Sequence, residues 1–263
     1  MDLNQLLEST ITVAKKAGAF IRKERQNFDI DKVEHKGFND LVSYVDKEAE
    51  RIIVDELSHL LPEAGFITEE ETNNVQKEVY NWIIDPLDGT TNFIHGIPVF
   101  SVSIGLSKGD QIVLGVVYEI NMDECFYATA GGGAYCNGKA IFVSKAPDLA
   151  SSLIATGFPY NDLGLMDRYL GVLKSLMQKS HGLRRLGSAA VDLCYVACGR
   201  MDGYFEYNLN SYDVAAGALI VQEAGGLVAD FKNGDDFIFG REILATNKLI
   251  HQELFAEIKN IHI

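Results

Sequence analysis

The sequence predicts a mixed α/β (α+β) chain of layered sheets and helices, and three stretches carry that prediction. Apolar residues recur at helical spacing over residues 3–25 and again over 43–61. Residues 80–145 have the texture of consecutive strands with glycine-rich turns. Beyond about residue 150 strands and helices alternate, with no linker rich in Pro, Gly or Ser and no internal repeat. At 263 residues the chain reads as one domain over 1–263, with an N-terminal α+β half to about 145 and a C-terminal α/β half from about 146.

Leu3, Leu6, Leu7, Ala14, Ala17 and Ile21 place a stripe on the first helix. Phe28 to Gly37 is short and charged, and reads as a hairpin or mobile loop. The second helix carries Val45, Ala49, Ile52, Ile53, Leu57 and Leu60, and Pro62 ends it. Gly65 to Thr68 and Val79 to Ile84 are strands, as are Val99–Leu106, Ile112–Tyr118 and Cys125–Thr129. Asn137-Gly138 is a hairpin signal. Then follow a strand at Leu153–Thr156, helices at Leu163–Lys179 and Ala189–Cys198, and a strand at Gly203–Tyr207. A helix at Asp213–Ala224, strands at Leu227–Asp230 and Ile243–Ala245, and a helix at Lys248–Lys259 complete the chain.

Twenty-three basic against 37 acidic residues give a net charge of −14, which disfavours a direct nucleic-acid surface or an anionic-membrane surface. No signal peptide and no apolar run of membrane-spanning length is present. The cysteines, Cys125, Cys136, Cys194 and Cys198, form no CxxC pair. They indicate a reducing, cytoplasmic setting without disulfides or zinc.

The chemistry concentrates in Trp82-Ile-Ile-Asp-Pro-Leu-Asp-Gly-Thr-Thr-Asn-Phe93. Asp85 and Asp88 flank a proline, which predicts a sharp turn after an apolar strand with both carboxylates on one side. The Leu87 carbonyl is a further hard oxygen, and Gly89-Thr90-Thr91 supplies amides and a hydroxyl for an anion. Glu69-Glu70-Glu71 follows a strand end. Clustered carboxylates repel by about 4 kcal/mol per pair at 4 Å with an effective dielectric of 20, so such a site calls for cations. Hard ligands beside an anion cradle point to magnesium-assisted phosphoryl chemistry.

Several of these residues also have plainer readings. Ser43-Tyr-Val-Asp46 matches a capping box, Thr90 can cap the helix after it, and Asp213 can be an N-cap before Val214. On the functional reading Thr90 partners an attacking water and is itself oriented by Asp46. The six histidines show no metal-ligand spacing, and neither a GxSxG elbow nor a Walker loop occurs.

Taken together, Asp46, Glu69-Glu70, Asp85-Pro-Leu-Asp-Gly-Thr-Thr91, Tyr212-Asp213 and Gly225-Gly226 resemble the signature of the inositol monophosphatase family, lithium-sensitive magnesium-dependent phosphatases. The resemblance implies a layered αβαβα sandwich of the inositol monophosphatase / fructose-1,6-bisphosphatase type, and a homodimer. It implies two to three Mg2+ per site: one on Glu69, Asp85 and the Leu87 carbonyl, a second on Asp85, Asp88 and Asp213, and a looser third near Glu69. It assigns Gly89 and Thr90 amides to the phosphate, and Glu206, the Gly187-Ser188-Ala189 segment and Asn210 to the alcohol portion. The implied reaction is hydrolysis of inositol monophosphate by in-line attack of a metal-activated water, with Glu69, Thr90 and Asp46 as the catalytic set.

Tyr212 departs from the family's usual tryptophan, and Asn210 stands where several members carry histidine. Relatives with these motifs also act on fructose 1,6-bisphosphate, the 2′-phosphate of NADP or adenosine bisphosphates. A scaffold for RNA or a transcription partner is the non-enzymatic alternative.

Overall fold

The computed structural model describes residues 2–28, 34–37, 40–42, 44–158, 160 and 164–261. Among them the chain forms α1 (Leu3–Gln26), the hairpin β1 (Glu34–Gly37) and β2 (Asp40–Val42), and α2 (Tyr44–Leu60). Next come β3 (Gly65–Thr68), β4 (Tyr80–Asp88), α3 (Thr90–His95), β5 (Ser101–Lys108), β6 (Gln111–Glu119), β7 (Glu124–Thr129), β8 (Ala134–Cys136) and β9 (Lys139–Ala140). The remainder is β10 (Leu153–Thr156), α4 (Met166–Lys179), β11 (Gly182–Arg184), α5 (Ala189–Ala197), β12 (Gly203–Tyr207), α6 (Ser211–Glu223), β13 (Leu227–Ala229), β14 (Glu242–Thr246) and α7 (His251–Ile258).

β3 to β9 make a seven-stranded sheet in sequence order, antiparallel except for the β3–β4 pair. The second sheet runs β11-β10-β12-β14-β13. Strand alternation explains the layering. On β4, Trp82 and Ile84 face one core with α1 and α2, while Ile83 between them faces α5 and α6. Val116 and Val117 on β6 divide in the same way.

The opposite face of α5 and α6 meets Ala155, Tyr204, Ile243 and Ala245 of the second sheet. The far side of that sheet, with Ile154, Phe205 and Leu244, is covered by α4 and α7. The layers are therefore α/β/α/β/α. Close approach of α6 to the large sheet depends on Gly115, where a Cβ would lie 2.8 Å from the Ala216 carbonyl oxygen.

Four sequence expectations change. The turn at Pro86 is a bulge, because β4 continues to Asp88: Asp85 pairs with Ser103 and Asp88 with Ser101, three steps against two. β11 has no counterpart in the sequence reading, and its three residues are too short to show a period. The last helix starts at His251 rather than Lys248, whose φ is 73°. The helix expected from Leu163 starts at Met166, and Leu163 itself lies outside the described residues, as does Ser43 of the expected capping box. All four cysteines are free, and no helix among the described residues is long and apolar enough to cross a membrane.

Candidate active site

The C-terminal ends of β3 and β4 and the start of α3 converge with the first turns of α2, α5 and α6. The bulge in β4 is what sets Asp85 and Asp88 close together. Asp85 is buried, and its Oδ1 accepts the Leu87 amide at 2.9 Å, which fixes the bulge from within. Asp88 is also buried; its Oδ2 accepts the Ser188 hydroxyl at 2.6 Å and the Ala190 amide at 2.7 Å. That carboxylate therefore sits on the N-terminus of α5, where amides and dipole favour negative charge. Burial still pushes it up to about 6, against the lowering by Ser188 and the Ala190 and Ala189 amides.

Gly89 turns the chain from β4 into α3 with φ 99°. A Cβ there would come within 3.0 Å of the Val99 carbonyl oxygen and 3.1 Å of Phe100 Cβ, so only glycine fits without strain. Thr90 follows as the first helical residue. Its Oγ1 lies 2.9 Å from Asp46 Oδ1 and 3.0 Å from the Leu87 carbonyl oxygen, to either of which it can donate. The capping role for Thr90 is thus corrected: the N-cap position is Gly89, and the hydroxyl reaches across to the first turn of α2 instead.

Asp213 arrives from α6. It is the third helical residue, so the N-cap expectation is corrected: the N-cap is Asn210, three residues earlier. Asp213 Oδ2 accepts the Asn210 amide at 2.6 Å. Burial and the nearby Asp88 raise its carboxyl to about 8, although the Asn210 bond and Arg241 pull it down. Glu69, just past β3, is held well above the usual carboxylate range by burial first and then by Asp213, Glu70 and Asp46. Glu69 and Asp85 are within hydrogen-bonding reach of each other, and burial also raises Asp85 strongly.

These contacts give a direct test of whether a cation fits. Among the described residues no three acidic, His or Cys side chains already converge on one point at ligand distance. Glu69 and Asp85 instead face one another as a pair that shares a proton does. Glu69 Oε2 is buried and accepts nothing, a costly state for a carboxylate oxygen unless a cation or proton meets it. The acidic groups that act on Glu69 (Asp213, Glu70, Asp46 and Asp85) are all hard oxygen donors, which suit Mg2+, whereas softer metals prefer nitrogen or sulfur.

On the alcohol side, Glu206 of β12 accepts the Tyr204 hydroxyl at 2.6 Å, and burial lifts it to about 7. Asn210 Oδ1 accepts Arg241 Nη1 at 3.0 Å, a bond that does not use its NH2 group. Ala189 and Ser188, expected to meet substrate, are turned toward Asp88. The structure thus gathers Asp46, Glu69, Asp85, Leu87, Asp88, Thr90 and Asp213 into one network, with Glu206 and Asn210 at its border.

Sequence reasoning missed two residues. Glu50, one helical turn after Asp46 and fully buried, accepts the Glu70 and Thr72 amides at 2.7 and 2.8 Å and the Thr72 hydroxyl at 2.6 Å. It fastens the loop that carries Glu69. Its signal was a charged residue on the buried stripe of α2, between Ala49 and Ile53. Ser188 was read only as part of a substrate segment, yet it is the partner of Asp88.

The model of the inositol monophosphatase family matches residues 2–262. The chain is 41% identical to the inositol-1-monophosphatase of Mesorhizobium japonicum over 98% of both chains. It is 40% identical to the Nus factor SuhB of Escherichia coli K12, over 98% of this chain and 97% of that one. Among solved structures, the extragenic suppressor protein suhB of Bartonella henselae superposes with a TM-score of 0.92 at 41% identity, covering 97% of this chain and 98% of that one. An IMPase from Thermotoga maritima gives 0.89 at 34% identity, covering 100% and 98%.

The family match over nearly the whole chain supports a phosphatase-type hydrolase. The chain belongs to the inositol monophosphatase family.

Proposed function

We propose that the protein is a magnesium-dependent phosphomonoesterase that hydrolyses inositol monophosphate to inositol and phosphate. The observation that carries this reading is the partnerless, buried Glu69 Oε2 inside a cluster of acidic groups next to the Gly89 turn. Glu69, Asp85 and the Leu87 carbonyl would hold one Mg2+, and Asp85, Asp88 and Asp213 a second. Bound there, Mg2+ supplies a Lewis acid that offsets phosphate charge and lowers the pKa of water.

The chain's own groups do the rest. The amides of Gly89 and Thr90 open a helix and bind phosphate oxygens. The Thr90 hydroxyl donates to Asp46, so its lone pairs face the attacking water and orient it, while Glu69 takes the water's proton. Ser188 and the α5 amides hold Asp88 in one rotamer. Glu206, with Oε2 engaged by Tyr204, offers Oε1 to the substrate's hydroxyls, and the Asn210 NH2 group offers a donor beside it.

Phosphate release measured over inositol monophosphate, NADP, fructose 1,6-bisphosphate, an adenosine bisphosphate and an aryl phosphate, all with Mg2+, tests the assignment. The expected result is release from several, with the highest kcat/KM for inositol monophosphate. No release from any of them would refute it.

The Nus factor names of the SuhB relatives favour one further reading, contact with a transcription partner. Pull-down of elongation-complex proteins by wild type, and equally by a Thr90→Ala variant, would support it alongside catalysis. The net charge of −14 makes a protein contact more favourable than direct RNA binding.

A further inference from the structure

Arg185 stands in the loop between β11 and α5, two residues before the turn at Gly187. Its guanidinium lies over two aromatic rings at once, 5.7 Å from the Phe158 centroid and 5.6 Å from the Tyr160 centroid. The rings meet edge to face at 6.1 Å and are themselves 36% and 45% exposed. A contact of this kind holds a guanidinium over the rings without using its N–H groups as hydrogen-bond donors.

Two contacts place this platform between the two halves of the candidate site. On one side the arginine folds back over Gly187, where a Cβ would meet Nη1, and the Gly187 carbonyl oxygen in turn lies 3.3 Å from where a Cβ on Gly89 would be. On the other side Gly157, the residue before Phe158, lies against the Glu206 carboxylate so closely that any Cβ would overlap it. The positive charge is felt by both halves, lowering the carboxyls of Asp88 and Glu206.

Yet the ion pairs among the described residues do not include Arg185, and it donates none of their hydrogen bonds. The other arginine at the border, Arg241, is committed to Asn208 and Asn210. A cation held over two rings with its fork uncommitted, beside an acidic site, is arranged to take an anion from outside. The reacting phosphate belongs to the Gly89–Thr90 turn, so the anion at Arg185 is a different one.

We propose that Arg185, on its Phe158–Tyr160 platform, is a specificity-determining residue that binds a second phosphate carried by the alcohol portion of the substrate. This rests on the phosphomonoesterase reading above and adds to it a preference among esters of one and the same alcohol, without changing which alcohol is hydrolysed best. Phosphate esters with a second phosphate on the same alcohol are favoured over their counterparts without one.

The test compares kcat/KM for fructose 1,6-bisphosphate and fructose 1-phosphate, with Mg2+ and at fixed ionic strength, in wild type, Arg185→Gln and Arg185→Lys. The wild-type ratio of bisphosphate to monophosphate is expected to exceed one. Arg185→Gln should lower it about tenfold or more, the loss expected for a charge-assisted hydrogen bond. Arg185→Lys should fall between, because charge remains while the stacked fork is lost.

A wild-type ratio of one or less, or a ratio that Arg185→Gln leaves within about twofold, overturns the proposal whatever the absolute rates do. Equal losses on both esters would assign Arg185 to the reacting phosphate instead. Failure of the underlying function looks different: wild type would release no phosphate from either fructose ester or from inositol monophosphate, and the proposal would fall with it.

Discussion

Thr90→Ala separates a catalytic hydroxyl from a structural one. In the structure the Oγ1 is 2.9 Å from Asp46 Oδ1 and 3.0 Å from the Leu87 carbonyl oxygen, and Asp46 is fully buried. Deleting the hydroxyl removes a donor from a buried carboxylate, which costs about 1.5–3 kcal/mol. For a chain of this size that corresponds to a fall of about 3–10 °C in Tm. If the hydroxyl also orients water, kcat drops by about 100-fold or more, within the span of positioned acid–base groups.

Thr90→Ser keeps the oxygen and should recover most of both losses. The assay pairs differential scanning fluorimetry with phosphate release from inositol monophosphate at saturating Mg2+. A lower Tm with kcat within about threefold of wild type would refute the catalytic reading and leave Thr90 as a tie between α3 and α2.

Three other outcomes follow from the same geometry. Asp213→Asn retains a side-chain acceptor for the Asn210 amide but loses the charge, so the fold should persist while the Mg2+ concentration for half-maximal rate rises steeply; an unchanged Mg2+ curve removes Asp213 from the site. Glu206→Gln should reorder inositol monophosphate, NADP and fructose 1,6-bisphosphate while an aryl phosphate changes little; equal losses on all would give Glu206 a supporting role.

The third outcome is a pH dependence. The carboxyls of Asp88 and Asp213 are raised from 3.8 to about 6 and about 8, so the folded state binds their protons more tightly than the unfolded chain does. Stability without metal is therefore greatest below about pH 4 for these groups and is lost as pH rises through 8. Tm in chelator should fall between about pH 5 and pH 8, and added Mg2+ should raise it more at pH 8 than at pH 6; a Tm in chelator that rises over that range contradicts the charge-crowding account.

Much of this was readable from the chain because local periodicity and burial agreed. The stripe on α1 specifies one buried face, and the apolar runs of β5 to β7 read as strands, which the structure buries on both sides between two helical layers. The Asp85 to Thr91 run was legible because proline, paired acids and glycine at fixed spacing constrain one backbone path. What the sequence hid was long-range. The bulge that continues β4 to Asp88 depends on pairing with Ser101 of β5, and the Ser188 bond to Asp88 joins positions 100 apart.

Glu50 was obscured for a related reason. On a helix a glutamate reads as solvated, and only the folded loop shows that its carboxylate accepts three donors. Arg185 likewise became noticeable only when Phe158 and Tyr160 were seen beneath it.

The central claim is that the acidic network around Glu69 Oε2 holds Mg2+ for hydrolysis of a phosphomonoester. Its most direct test is phosphate release from inositol monophosphate by chelator-treated protein, followed as Mg2+ is added back. The account predicts no measurable release before addition, and full recovery along a saturable curve that potassium at equal ionic strength does not reproduce. Undiminished release in metal-free buffer would contradict it.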